Sequence, residues 1–276
     1  MTAEKIHRTV SADGTEIAGR VVGQGQPLVL LHGAVYSGET AFDELVPQLT
    51  DHYTCFLPST RGRGLSGEAD EYLPERLLED VLAFVTSIGQ PVPMFGWSQG
   101  GMLALGAARS TDAVSSVIAY EPGVLQVADE AFMGDFADTV TRMTAEVEQG
   151  RPAEAARLFL RLVLNDEEFE ASIAKGRHEI AAPSIPADLR LFANLDATRP
   201  NPTDPDALAS ITVPVLLLQG DRTLPWFDRG NRHVVKHTPE AENRIIAGAG
   251  HGGPGLMPEA VADELARFLQ RDSAAL

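Results

Sequence analysis

The sequence is poor in cysteine: 276 residues include one, Cys55. A lone thiol cannot close an intrachain disulfide, so cysteine usage does not call for an oxidising compartment. Cys55 lies in the apolar run YTCFL and reads as a buried filler. Long apolar runs are also missing. No stretch approaches the roughly 20 residues of a membrane-spanning helix, and the opening MTAEKIHRTVSADG lacks the apolar segment of a secretory signal. A cytoplasmic location is the expectation. Positive charge is scarce, with 22 Lys and Arg against 39 Asp and Glu and a net charge of -17. Phosphate binding needs clustered cations, so neither nucleic acid nor an anionic membrane surface is expected as a partner. No pair among His7, His52, His178, His233 and His237 has convincing metal-ligand spacing with a carboxylate, so neither a metal nor another cofactor is expected.

What is present is a β/α rhythm. Lys5–Val10 and residues 16–22 read as strands around the Asp13-Gly14 turn. Residues 28–31 (LVLL) form a short, fully apolar run, as in a buried strand. A helix is predicted over 40–49, a strand over 53–57, a helix over 74–88, a strand over 92–95, a helix over 102–108 and a strand at Val114–Tyr120. Such alternation predicts an α/β fold, a mostly parallel central sheet flanked by helices.

The rhythm stops at residue 124. Residues 124–209 show no convincing strand and read as helices over 127–148, 152–164, 166–181 and 186–196, then a Pro/Asp-rich linker, RPNPTDPD. It resumes with a strand over 213–219, a helix near 228–238, a strand over 243–247 and a helix over 258–269. The insertion is too long for an ordinary connection. The expectation is a core of residues 1–123 and 210–276 with a helical cap at 124–209. The 16 Asp and Glu against 8 Lys and Arg in that segment read mainly as a solvated outer face and count against strongly anionic substrates.

Chemistry concentrates in Phe95-Gly96-Trp97-Ser98-Gln99-Gly100-Gly101, between a predicted strand and a predicted helix. This is a G-x-S-x-G elbow in the context it requires. The chain must turn sharply with the serine strained, and the glycines let neighbouring backbone approach. The helix N-terminus then directs free N–H groups at developing negative charge. Ser98 is the candidate nucleophile. His251, in Ala249-Gly250-His251-Gly252-Gly253 after the 243–247 strand, is the candidate base.

With these motifs the chain resembles the α/β-hydrolase superfamily over essentially its whole length. His32-Gly33-Ala34 resembles the family's H-G-x oxyanion loop, which implies the Ala34 and Gln99 amides as the two donors. His32 itself reads as structural. Arg61-Gly62-Arg63-Gly64-Leu65-Ser66 matches a structural R-G-x-G-x-S turn, except that Ser59 stands where the family usually has an Asp.

The acid departs from the pattern. The family's usual Asp falls in a G-x-x-D window, which here reads Gly220-Asp221-Arg222-Thr223. Threonine has no charge to stabilise an imidazolium. Glu121, 23 residues after Ser98 in Tyr120-Glu121-Pro122, is an alternative. The acid of zearalenone-type lactone hydrolases is similarly placed and is a Glu. Asp221 and cap or linker acids such as Asp228 stay open as candidates.

These residues imply hydrolysis of a small apolar ester or lactone through an acyl-enzyme. A carbon–carbon bond hydrolase or a cofactor-free perhydrolase would share every motif, and a small-ligand receptor could keep the fold with little turnover. A homodimer is left open. Trp97 and Trp226 are candidate substrate contacts, with Phe132, Phe136, Phe159 and Phe192 as further aromatic candidates from the cap.

Overall fold

The computed structural model describes residues 5–196 and 199–274. Its strands are β1 (Lys5–Val10), β2 (Glu16–Gly23), β3 (Gln26–Leu31), β4 (Tyr53–Pro58), β5 (Val92–Trp97), β6 (Val114–Tyr120), β7 (Val215–Gly220) and β8 (Glu242–Ile246). They form one sheet in the order β1-β2-β4-β3-β5-β6-β7-β8. β1 and β2 pair antiparallel, as do β2 and β4, and the remaining pairs are parallel. The central strands are apolar on both faces, so both faces need helices.

The helices are α1 (Pro74–Ser87), α2 (Gln99–Ser110), α3 (Glu130–Glu148), α4 (Pro152–Val163), α5 (Asp166–Ala174), α6 (Arg177–Ala181), α7 (Ile185–Phe192), α8 (Pro205–Ala209), α9 (Pro225–His237), α10 (Gly253–Leu256) and α11 (Pro258–Ala274). On one face of the sheet, Leu77, Val81 and Val85 of α1 and Leu103 and Ala107 of α2 pack against Val29, Met94 and Val117. On the other, Val261, Leu265 and Phe268 of α11 share a core with Leu28, Phe95, Leu216 and residues of α4. No helix among the described residues is long and apolar enough to cross a membrane.

Strand order fixes where a site can form. β3 pairs with β4 on one side and β5 on the other, so connections diverge at its C-terminal end and leave a crevice there. The segments after β3, β5, β6, β7 and β8 all leave the sheet on that side. They carry Ala34, Ser98, Glu121, Thr223 and His251 in turn.

Several predicted boundaries shift. The helix predicted over 40–49 is a series of turns with one 3-10 turn at Val46–Gln48. Ala41, Phe42, Leu45 and Leu49 are buried at helical spacing, but Pro47 removes an amide donor and blocks a regular helix. The helix predicted over 166–181 is two, α5 and α6, parted at Gly176 with φ 66°. The helix predicted over 102–108 starts at Gln99, immediately after Ser98. The Pro/Asp-rich stretch is not wholly linker, since α8 begins inside it at Pro205.

Candidate active site

Ser98 caps α2 with φ 56° and ψ -115°, a conformation forbidden to most L-residues. The elbow holds it there by backbone contacts. A Cβ on Gly96 would lie 2.2 Å from the Gly100 carbonyl oxygen, and one on Gly100 would lie 2.1 Å from that of Leu31. Val35 (φ 62°) and Glu121 (φ 43°) are also strained. With Ser98 they account for three of the four non-glycine positive-φ residues among the described residues, and all three flank one crevice.

Ala34, Ser98 and Gln99 line the same cavity. Among the described residues, neither the Ala34 nor the Gln99 amide donates to a protein acceptor. Two free N–H groups beside a strained serine can receive an oxyanion. His32, by contrast, is fully engaged beneath the loop. Its Nδ1 lies 2.8 Å from the Gly33 carbonyl and its Nε2 accepts from the Thr60 amide at 3.1 Å. Burial, aided by the charge of Arg63, pushes its pKa down to about 3, which keeps it a neutral brace.

His251 is buried and lines a compartment with Ser98. Its Nδ1 lies 2.9 Å from Glu121 Oε2. The Phe227 ring stacks on the imidazole at 3.6 Å between centroids, and Trp97 Nε1 donates to the His251 carbonyl at 2.9 Å. Glu121 is inaccessible to solvent. Its Oε1 accepts from the Gly220 amide at 2.9 Å, and its Oε2 also accepts from Thr223 Oγ1 at 2.7 Å. Thr223 therefore holds the glutamate that contacts the imidazole. Asp221 is exposed and accepts from the Gly248 amide at 2.7 Å. Asp228 is taken up by Gln219 and Arg232. Of the three candidate acids, the structure brings only Glu121 to His251.

Two residues that sequence reasoning missed come from the helical segment. Glu168, in the first turn of α5, is buried, and its Oε1 accepts from the Gly250 and Gly252 amides at 2.8 and 3.1 Å, one on each side of His251. A Cβ on Gly250 would sit 2.6 Å from Glu168 Oε2, so the glycine makes room for the carboxylate. Burial raises the Glu168 pKa, and the two amides and His251 oppose the rise. Asp188 of α7 is equally buried. It accepts from the Val35 amide at 3.1 Å and pairs with Arg63 at 2.8 Å. Most acids of this segment do face solvent, as the charge count implied; these two do not.

The position of Glu168 carries a testable consequence. Glu168→Gln keeps an acceptor for the amides but removes a charge near the imidazole. Less stabilisation of the positive charge that forms there lowers kcat by about threefold to tenfold with KM little changed. Glu168→Ala, which also leaves two amides without their acceptor, is expected to lose more. An unchanged kcat in Glu168→Gln would assign the side chain to loop packing alone.

The cavity has two compartments. The larger, about 880 Å³, is lined by Phe132, Phe136, Phe159, Phe192 and Trp226 with Ser98. The rings touch in series: Trp226 stacks on Phe132 at 4.2 Å, Phe136 meets Phe192 at 5.2 Å, and Phe192 stacks on Phe159 at 5.5 Å. The smaller, about 480 Å³, contains Trp97, Tyr36 and His251. At the R-G-x-G-x-S turn, Arg61 is buried on Asp80 and Asp13. Where the family usually has an Asp, Ser59 Oγ donates to Glu39 at 2.7 Å, so a carboxylate reaches the turn from elsewhere.

Comparison with known proteins agrees with this architecture. Residues 28–264 match the model of the alpha/beta hydrolase family. A pimeloyl-[acyl-carrier protein] methyl ester esterase of Xanthomonas campestris pv. campestris is 31% identical over 93% of this chain and 98% of its own. Its counterpart from Xylella fastidiosa is 28% identical over 84% and 90%. Among solved structures, an alpha/beta hydrolase from Sphaerobacter thermophilus superposes with a TM-score of 0.72 at 26% identity, covering 95% of this chain and all of the other (100%). An esterase from Rhodococcus sp. ECU1013 shares the fold, with a TM-score of 0.78 at 22% identity over 96% and 98% of the two chains.

Proposed function

The chain belongs to the alpha/beta hydrolase family, and from that premise we propose that it is a carboxylic-ester hydrolase, acting on esters or lactones through an acyl-enzyme on Ser98. The observation that carries the reading is the chain of contacts from Glu121 through His251 into the compartment that Ser98 lines. Relatives named as methyl ester esterases support the ester as substrate. Residues 124–209 act as a cap over the serine, with its aromatic wall taking the apolar part of the substrate.

Ser98 Oγ attacks the carbonyl carbon while His251 accepts its proton, and the oxyanion forms against the Ala34 and Gln99 amides. Glu121 faces the imidazolium that results and fixes the ring by its contact at Nδ1. Collapse expels the alkoxide, which takes the proton from His251. Water then attacks the acyl-enzyme with His251 as base, and the acid is released with Ser98 restored.

A fluorophosphonate probe tests the nucleophile directly. One adduct per chain is expected, mapped to the peptide bearing Ser98 by mass spectrometry, with loss of hydrolysis of 4-nitrophenyl esters in proportion to labelling. A panel of short acyl esters, aryl esters and macrolactones then sets the range. Labelling elsewhere with Ser98 intact, or no turnover across the panel, would overturn the reading, and the second result would favour a ligand-binding role.

A further inference from the structure

The smaller compartment is not uniformly apolar. Arg177, the first residue of α6, lines it together with Tyr36 and Ser172. Its side chain is 6% exposed, so the guanidinium is withdrawn from water. Nη1 is committed, lying 2.7 Å from Asp43 Oδ1 and 3.4 Å from the Thr40 carbonyl. Nη2 is buried and has no hydrogen-bond partner among the described residues. Glu44 Oε1 is 3.9 Å away, beyond hydrogen-bond reach, and that carboxylate is held by Lys175 at 3.0 Å. A buried guanidinium N–H left unpaired is costly and calls for an acceptor.

The surroundings suit an acceptor that arrives with a ligand. Tyr36 stacks on Trp97 at 5.6 Å, beside the serine. Burial pushes its phenol up to about 12, with Arg177 opposing the rise and Asp43 adding to it, so the hydroxyl stays protonated and able to donate. A Cβ on Gly255 would meet Arg177 Nη2 at 3.5 Å, so the glycine leaves the approach to that nitrogen open. Arg presents its donors in a planar fork suited to a carboxylate.

We infer that Arg177 Nη2, with the Tyr36 hydroxyl and Ser172, reads a carboxylate on the substrate. The preferred ester then carries a free carboxylate at one end and an apolar group, lodged in the aromatic compartment, at the other. This rests on the ester-hydrolase reading above. It departs from the small apolar substrate expected from the sequence, where the acidic helical segment counted against strongly anionic ligands. Net charge averages over the surface, whereas recognition depends on the guanidinium buried in the compartment beside the serine.

The test compares ester pairs that differ only in that group. Monobenzyl glutarate is set against benzyl pentanoate. The ester of phenylacetic acid with 3-hydroxypropanoic acid is set against propyl phenylacetate, because the carboxylate could lie on either side of the scissile bond. In at least one pair the anionic ester is expected to have a kcat/KM about 10-fold to 100-fold higher than its neutral partner. Arg177→Met should collapse that ratio and Arg177→Lys should restore part of it. Calorimetric binding of the same esters to Ser98→Ala, with and without Arg177→Met, separates this proposal from the one it rests on. Tighter, Arg177-dependent binding of the anionic ester with no hydrolysis of any ester would overturn the esterase reading and leave the subsite standing. Equal binding within both pairs, or equal loss of both members of a pair in Arg177→Met, would reduce Arg177 to a tie between α6 and the core.

Discussion

Glu121→Gln is expected to lower kcat by about 10³-fold to 10⁴-fold while the protein stays folded, the scale of loss when a triad acid becomes its amide. The carboxylate accepts three hydrogen bonds, from the Gly220 amide, Thr223 Oγ1 and His251 Nδ1. A glutamine offers one oxygen and one amino group to three donors. Either the backbone or the imidazole loses its acceptor, and no negative charge remains to face the imidazolium. Asp221→Asn is expected to change kcat by less than about threefold, within the range of an exposed substitution, because that side chain contacts the Gly248 amide and not the base. The double variant Glu121→Gln/Thr223→Asp is the sharper test. Thr223 Oγ1 is 2.7 Å from the oxygen that contacts His251, so an aspartate there can supply the missing charge from the neighbouring strand end. Recovery of about tenfold or more over the single variant is expected. Steady-state kinetics with circular dichroism as a fold control decide it. A fully active Glu121→Gln would remove the glutamate from the chemistry.

Ser98→Ala should reduce turnover still further, by about 10⁴-fold or more, leaving the residual rate that binding and the oxyanion amides supply. The loss should come without a fall in melting temperature. Although Ser98 occupies the N-cap of α2, its side chain makes no capping hydrogen bond. The strain at φ 56° is a backbone property that alanine inherits along with its Cβ. The serine hydroxyl is therefore dispensable to the fold. Thermal denaturation should coincide with that of the unaltered protein, and a marked drop would mean that the hydroxyl braces the elbow after all.

How far the sequence could be read depended on the range of the interactions. The elbow was legible because its constraints are local: a strand, a serine, three glycines and a helix within a dozen residues. His251 was legible from its glycine-rich loop and its place in the chain. Glu121 followed from noticing that Thr223 carries no charge, but that Thr223 would grip Glu121 was not, because the two are 102 residues apart and meet only across β6 and β7. The helix predicted over 40–49 failed because burial at helical spacing does not supply the backbone donor that Pro47 lacks. Glu168, Asp188 and Arg177 were hidden for a different reason. A charged residue on an amphipathic helix looks solvated until its neighbours are known. The available signal was that Glu168 shares a helical face with Ser172, four residues on, whereas Asp166 and Glu167 before it face solvent.

The grip of Glu168 and Asp188 bears on how a substrate can get in. Glu168 is fastened to the loop that carries His251, and Asp188 to Val35, the residue that follows Ala34. Lifting the helices wholesale would tear both acids from their backbone partners and release the base and the oxyanion loop together. Admission and readiness would then exclude one another. A substrate that entered without raising those helices would leave both sets of backbone contacts, and with them the site's geometry, intact.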